Sequence, residues 1–120
     1  MTEDLFSDIN RAGDPSSLSD LEKKHLPLID APDSVKAGEP FEVTVEVGRL
    51  LAHPNEPGHH IQWIVLLGGS VTLAMVELTP VSTSPKVTVT ITLDKTTRLR
   101  ALERCNLHGE WEHSKEIKVL

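Results

Sequence analysis

Phe41-Glu42-Val43-Thr44-Val45-Glu46-Val47 decides the fold. Apolar and polar side chains alternate along all seven residues, so an extended chain here has one apolar and one polar face. A period of two does not fit a helix, and the segment reads as a strand half-buried on a core. Working outward, the same texture recurs. Lys86 to Leu93 alternates strictly. Ile61-Gln62-Trp63-Ile64-Val65-Leu66-Leu67 is the most apolar run and reads as a buried strand. Gly68-Gly69-Ser70 then suits a tight hairpin turn into Val71 to Leu78. Thr97 to Arg104 is a further strand, Asn106 to Ser114 reads as loop, and Lys115 to Leu120 as a short final strand. Upstream, Leu26 to Asp30 fits an edge strand, where Pro27 is tolerated, and Val35 sits in a short extended piece. About seven short strands separated by turn residues, with no long amphipathic helix, predict an all-β sandwich of antiparallel sheets, with a small barrel as the alternative.

The first 20 residues are acidic, polar and turn-rich, and form an N-terminal lead-in to a domain spanning 21–120. Ser19 followed three residues later by Glu22 predicts a capped helical turn, which Pro27 prevents from continuing. One domain is expected at 120 residues. No apolar run approaches the roughly 20 residues that cross a bilayer, and the N-terminus resembles no secretory signal, so the expected location is the cytoplasm. The net charge is −6. Without a basic stripe, nucleic acid is excluded as a partner. A single cysteine excludes an intrachain disulfide.

Sandwich folds gather loops at their ends, where residues far apart in sequence meet. The polar residues in these loops are unusual. His53-Pro54-Asn55-Glu56-Pro57-Gly58-His59-His60 holds three of the six histidines on a backbone stiffened by two prolines. Cys105-Asn106-Leu107-His108 places a thiol and an imidazole across a turn at a strand end. Imidazole and thiolate bind zinc, iron and copper. Taken singly, the C-x-x-H pair fits a buried Cys with a hydrogen-bonded His equally well, and a single His more often has a structural or solvated role than a ligand role. Their coincidence with His25 in a chain with one Cys favours a metal site.

Three segments carry a specific resemblance: Glu22-Lys23-Lys24-His25-Leu26-Pro27, the His53–Ile61 loop, and Cys105-Asn106-Leu107-His108-Gly109-Glu110-Trp111. In order, spacing and flanking residues they resemble the motifs of superoxide reductase of the single-iron neelaredoxin type, the iron-binding domain of the desulfoferrodoxin family. The likeness runs from about His25 to the C-terminus. The resemblance implies an immunoglobulin-like β-sandwich with one non-haem iron ion, Fe(II) or Fe(III), near the surface. His25, His53, His59 and His108 would surround the ion in a plane, with Cys105 as axial thiolate and a sixth position open. His60 would point away along its strand, and His113 is read as a surface residue. The four-cysteine domain of desulfoferrodoxin has no counterpart here, since only one Cys exists.

The implied reaction is the one-electron reduction of superoxide to hydrogen peroxide, with no oxygen produced. Lys24 matches the family lysine before the first His ligand and would attract the anion and supply protons. An electron donor such as rubredoxin is implied, as is assembly into a homo-oligomer, a tetramer in many single-iron members. One position departs from the pattern. The family often has Glu-Lys-His, with Glu on the oxidised ion, whereas this chain has Lys23 there. Either water or hydroxide then takes the sixth position, or Glu22 or Glu56 swings in. The competing readings are a non-catalytic iron electron-transfer or binding module, a zinc-stabilised sandwich, a metal-free interaction domain, and superoxide dismutation in place of reduction. Four imidazoles and a thiolate are one ligand too many for closed tetrahedral zinc.

Overall fold

The computed structural model describes residues 4–120; the first three residues of the lead-in lie outside the described part. Backbone pairing sorts the strands into two sheets. One sheet contains β1 (Pro27–Asp30), β3 (Phe41–Val47) and β6 (Lys86–Ile91) in the order β1-β3-β6. The other contains β2 (Ser34–Val35), β4 (Ile61–Gly68), β5 (Val71–Glu77), β7 (Thr97–Cys105) and β8 (Gly109–Val119) in the order β2-β8-β7-β4-β5. All neighbours are antiparallel except the two-residue β2, which runs parallel to β8. The all-β antiparallel sandwich expected from the sequence is the observed architecture.

The core lies between the sheets. Val43, Val45 and Val47 of β3 face Ile64 and Leu66 of β4, Leu99 and Ala101 of β7, and Ile117 of β8 within one buried cluster. Burying each such aliphatic side chain contributes about 1.5–3 kcal/mol, which the scarce aromatics do not supply here. A bulge between Ile61 and Trp63 against β7 changes the phase of β4, so Ile61 and Ile64 both face the core although three residues apart. The turn from β4 to β5 is the expected one, with Gly69 at φ +60° and its N–H donating to the Arg98 carbonyl at 3.0 Å.

Two expectations are corrected. Residues 109–114 are strand and not loop: β8 runs unbroken from Gly109 to Val119 and pairs with all of β7. Its acidic residues masked the pattern, because Glu110 and Glu112 lie opposite Arg104 and Leu102 and bind Arg104 and Arg100. With the two-residue β2 counted, the described residues form eight strands, in keeping with the about seven and the short piece at Val35 read from the sequence. His113 is also not a plain surface residue. It is half-buried, and its Nδ1 accepts the Ile29 N–H at 3.3 Å, which links β8 of one sheet to β1 of the other.

The lead-in packs back onto the strands. Asn10 bridges Trp111 of β8, with the Asn10 N–H donating to Glu110 O at 2.8 Å and the Glu112 N–H to Asn10 O at 2.9 Å. Arg11 reaches the buried Glu112 at 2.5 Å, while Arg100 holds its other oxygen at 2.6 Å. Gly109 is required at this junction. Its φ is +80°, and a Cβ there would lie 2.2 Å from the Leu5 carbonyl oxygen.

Candidate metal centre

The helical turn α1 (Asp20–His25) delivers the first site residue. Ser19 accepts the Glu22 N–H at 3.2 Å, and the Glu22 carboxylate accepts the Ser19 N–H at 2.8 Å, the reciprocal pair of a capping box. The second Glu22 oxygen accepts the Gly13 N–H at 2.8 Å. These bonds hold the carboxyl below its ordinary range and leave both oxygens engaged. Pro27 ends the turn, so His25 is its last residue and is buried. Trp111 of β8 stacks on the His25 ring, with centroids 5.1 Å apart and planes at 22°.

The 53–60 loop is built around a tight turn. Glu56 and His59 exchange backbone hydrogen bonds at 2.9 and 3.1 Å across Pro57-Gly58, which puts their side chains side by side. At the loop's start, the Val81 N–H donates to the Asn55 side chain at 2.7 Å and Asn55 Nδ2 to Thr83 O at 3.2 Å. Gly48, at φ +84°, lets the chain turn under His53; a Cβ would lie 2.8 Å from the His53 nitrogen. At the end of β7, Cys105 is fully buried.

These segments converge. One ligand atom each from His25, His53, His59 and Cys105 lies within 4.8 Å of the others. His108 joins them, with Nδ1 3.2 Å from His25 Nε2 and 3.7 Å from Cys105 Sγ. The four imidazoles form a closed ring of edge-to-face neighbours, His25–His53 at 4.8 Å, His53–His59 at 4.7 Å, His59–His108 at 5.1 Å and His108–His25 at 4.9 Å between centroids. All five residues singled out in the sequence therefore meet at one point. His60, next to His59, is outside this group.

The protonation pattern suits a cation. His25 Nδ1 lies 2.7 Å from Leu21 O and His53 Nδ1 lies 2.6 Å from Pro54 O. A carbonyl only accepts, so both Nδ1 atoms carry the proton and both Nε2 atoms keep a lone pair. The Nε2 atoms of His53 and His59 are buried without a hydrogen-bond partner, an arrangement that an ion between the rings would satisfy. Burial lowers the pKa of His25 to about 4 and of His53 to about 4, and it also lowers that of His59. His25, His53 and His59 are thus neutral, as ligands must be. Burial pushes the Cys105 thiol up, opposed by hydrogen bonds from the Leu107 and His108 backbone. Without a cation the thiol keeps its proton; a cation among the imidazoles would favour thiolate.

Three further residues at the centre carry weak sequence signals. Trp111 lay in the presumed loop. Asn106 bonds to Gly58 and His60 of the other loop. Glu103, two residues before Cys105, is fully buried with neither oxygen partnered, and burial and nearby Glu110 raise its pKa well above the ordinary range. Its inward position in β7 was readable; its lack of a partner was not.

The desulfoferrodoxin family model matches residues 17–114. A relative from Methanocaldococcus jannaschii is 44% identical over 103 residues, covering 82% of this chain and 86% of the relative. Neelaredoxin from Megalodesulfovibrio gigas is 34% identical over 117 residues, covering 81% and 88%. The solved structure of superoxide reductase (neelaredoxin) from Ignicoccus hospitalis superposes with a TM-score of 0.74 at 46% identity, covering 80% of this chain and 81% of that one. The chain belongs to the desulfoferrodoxin family, in the branch of the neelaredoxin-type superoxide reductases.

Proposed function

We propose that this protein reduces superoxide to hydrogen peroxide at one iron ion held by His25, His53, His59, His108 and Cys105. The observation that carries this reading is the closed ring of four imidazoles with a buried thiol beside it. The donor set is mixed nitrogen and sulfur and exceeds the four of structural zinc. An Fe(II) ion held by these residues would supply the one electron that, with two protons, turns superoxide into hydrogen peroxide.

The side chains around the ion manage charge and protons. His25 and His53 are locked by their Nδ1–H bonds to backbone carbonyls, so the site needs little reorganisation. The Leu107 and His108 N–H groups donate to Cys105 Sγ and temper its negative charge. Lys24 follows Lys23 at the end of α1, and its charge is felt by both His53 and His59. Its ammonium attracts the superoxide anion against the −6 net charge, because attraction within about 8–10 Å survives physiological salt. It also orders the water that delivers protons.

In place of the family glutamate, Glu56 rather than Glu22 would be the carboxylate able to reach the oxidised ion. It is exposed and paired with His59, whereas Glu22 would have to abandon the capping box. Rubredoxin or a similar small redox protein returns the electron, the chain assembles as a homo-oligomer, with a tetramer favoured, and it works in the cytoplasm. Among the described residues, no helix is long and apolar enough to cross a membrane. Reconstitution with ferrous iron under anaerobic conditions tests the reading. One iron per chain and a visible thiolate-to-iron band on oxidation, lost in Cys105→Ser, are expected. A chain that takes up no iron overturns it.

A further inference from the structure

The two loops that meet at the metal centre are joined by one side chain. Asn106 follows Cys105 directly. Its Oδ1 accepts the His60 N–H at 2.9 Å, and its Nδ2 donates to Gly58 O at 2.9 Å. Its own N–H donates to His60 O at 3.2 Å. The amide therefore brackets His59, binding the residue on each side of it, from a position one peptide unit away from the thiol. No aliphatic side chain can do this, because the bracket needs a donor and an acceptor on one rigid planar group. Asn55 pins the same loop at its other end, to residues 81 and 83, but makes no bond to the cysteine segment.

We infer that Asn106 is a positioning residue that fixes the separation and angle between the Cys105 sulfur and the His59 imidazole, and so sets the geometry and affinity of the metal centre. This rests on the five-ligand reading above. Three hydrogen bonds converge on one residue between two ligand-bearing loops, and two of them belong to the side chain. Without the bracket, residues 58–60 are held by the Glu56–His59 turn, the entry into β4 and the single backbone bond, so His59 can swing relative to the sulfur. Partners that orient ligands in this way typically carry a 10- to 100-fold effect on metal affinity.

Cobalt(II) serves as the probe, because its thiolate charge-transfer band and its d–d bands report sulfur ligation and geometry. Wild type should bind one cobalt per chain and show both sets of bands; a wild type that binds none with sulfur ligation sinks the five-ligand reading itself. Given that binding, Asn106→Ala should lower cobalt affinity about 10- to 100-fold and shift the thiolate band. Asn106→Asp keeps an acceptor for the His60 N–H but loses the donor to Gly58, and should fall between the two. Asn55→Ala should leave the band position unchanged. Wild-type affinity and band position in Asn106→Ala overturn the inference. So does a band shift equal to that of Asn55→Ala, which would report general loosening of the loop. If Asn106→Ala does not fold, Asn106→Asp against wild type decides on the same two readouts.

Discussion

Trp111 and His25 lie face to face, with ring centroids 5.1 Å apart and planes 22° from parallel. The tryptophan is buried at 3% exposure, and its indole N–H donates to the His108 carbonyl at 3.1 Å. One side chain therefore supports two members of the imidazole ring. Trp111→Ala should cost about 3–5 kcal/mol of stability, as large aromatic truncations do, and should weaken metal binding as well. Trp111→Phe keeps the stacking and loses only the hydrogen bond, so it should retain most of both. Denaturant melts and metal titrations of the two variants check this; equal affinity in Trp111→Ala and wild type would deny the supporting role.

Glu112 ties the lead-in to the sandwich. It is buried, with Arg11 on one oxygen and Arg100 on the other. Removing it leaves the partly exposed Arg100 and Arg11 without their carboxylate, and Glu112→Ala should destabilise by about 1.5–3 kcal/mol, the worth of hydrogen bonds to a charged group. Arg11 is 56% exposed, so solvent screening limits Arg11→Ala to about 1 kcal/mol or less. Urea unfolding separates the two; a larger loss for Arg11→Ala than for Glu112→Ala would contradict this ranking.

Burial makes the metal-free protein sensitive to pH from two directions. His25 and His53 have folded pKa values of about 4, below the ordinary value near 6.5. Between these values the unfolded chain binds more protons, so stability falls as pH drops from about 6.5 towards 4. Glu103 has the opposite sign. Its folded pKa is raised well above 4.5, so the folded chain holds the extra proton and stability falls as pH rises above 4.5. Glu103→Gln removes the second trend. The stability of this variant relative to wild type should climb with pH from about 4.5 upward. A pH-independent difference in melts of the metal-free proteins would show that Glu103 titrates normally.

Much of this molecule is legible in its sequence because the signals are local. Val43, Val45 and Val47 point one way for backbone reasons, and Ser19 with Glu22 forms its capping box without help from elsewhere. The five residues of the candidate metal centre are legible through the three segments that resemble the superoxide reductase motifs, although His25 ends a helix and Cys105 ends a strand. What escaped was decided by partners distant in sequence. Glu110 and Glu112 look like loop residues until Arg104, Arg100 and Arg11 are brought beside them. His113 looks exposed until β1 supplies the Ile29 N–H. The Asn106 bracket depends on a loop 46 residues away.

Lysines at the end of α1 should govern encounter with superoxide. Lys24→Ala should slow the second-order reaction, and Lys23→Glu should slow it more at low salt than at high salt, since screening removes long-range steering. Rates measured across a salt series check this. A salt-independent effect of Lys23→Glu would rule out steering by that residue.

The central claim is that this chain transfers one electron to superoxide at the His25, His53, His59, His108 and Cys105 centre. The most direct test reacts the iron-reconstituted, reduced protein with pulse-generated superoxide and follows iron oxidation, peroxide and dioxygen together. The account predicts second-order oxidation, with about one superoxide consumed and one peroxide formed per iron and no dioxygen evolved. Dioxygen released alongside peroxide, or a reduced protein that superoxide leaves unoxidised, would contradict it.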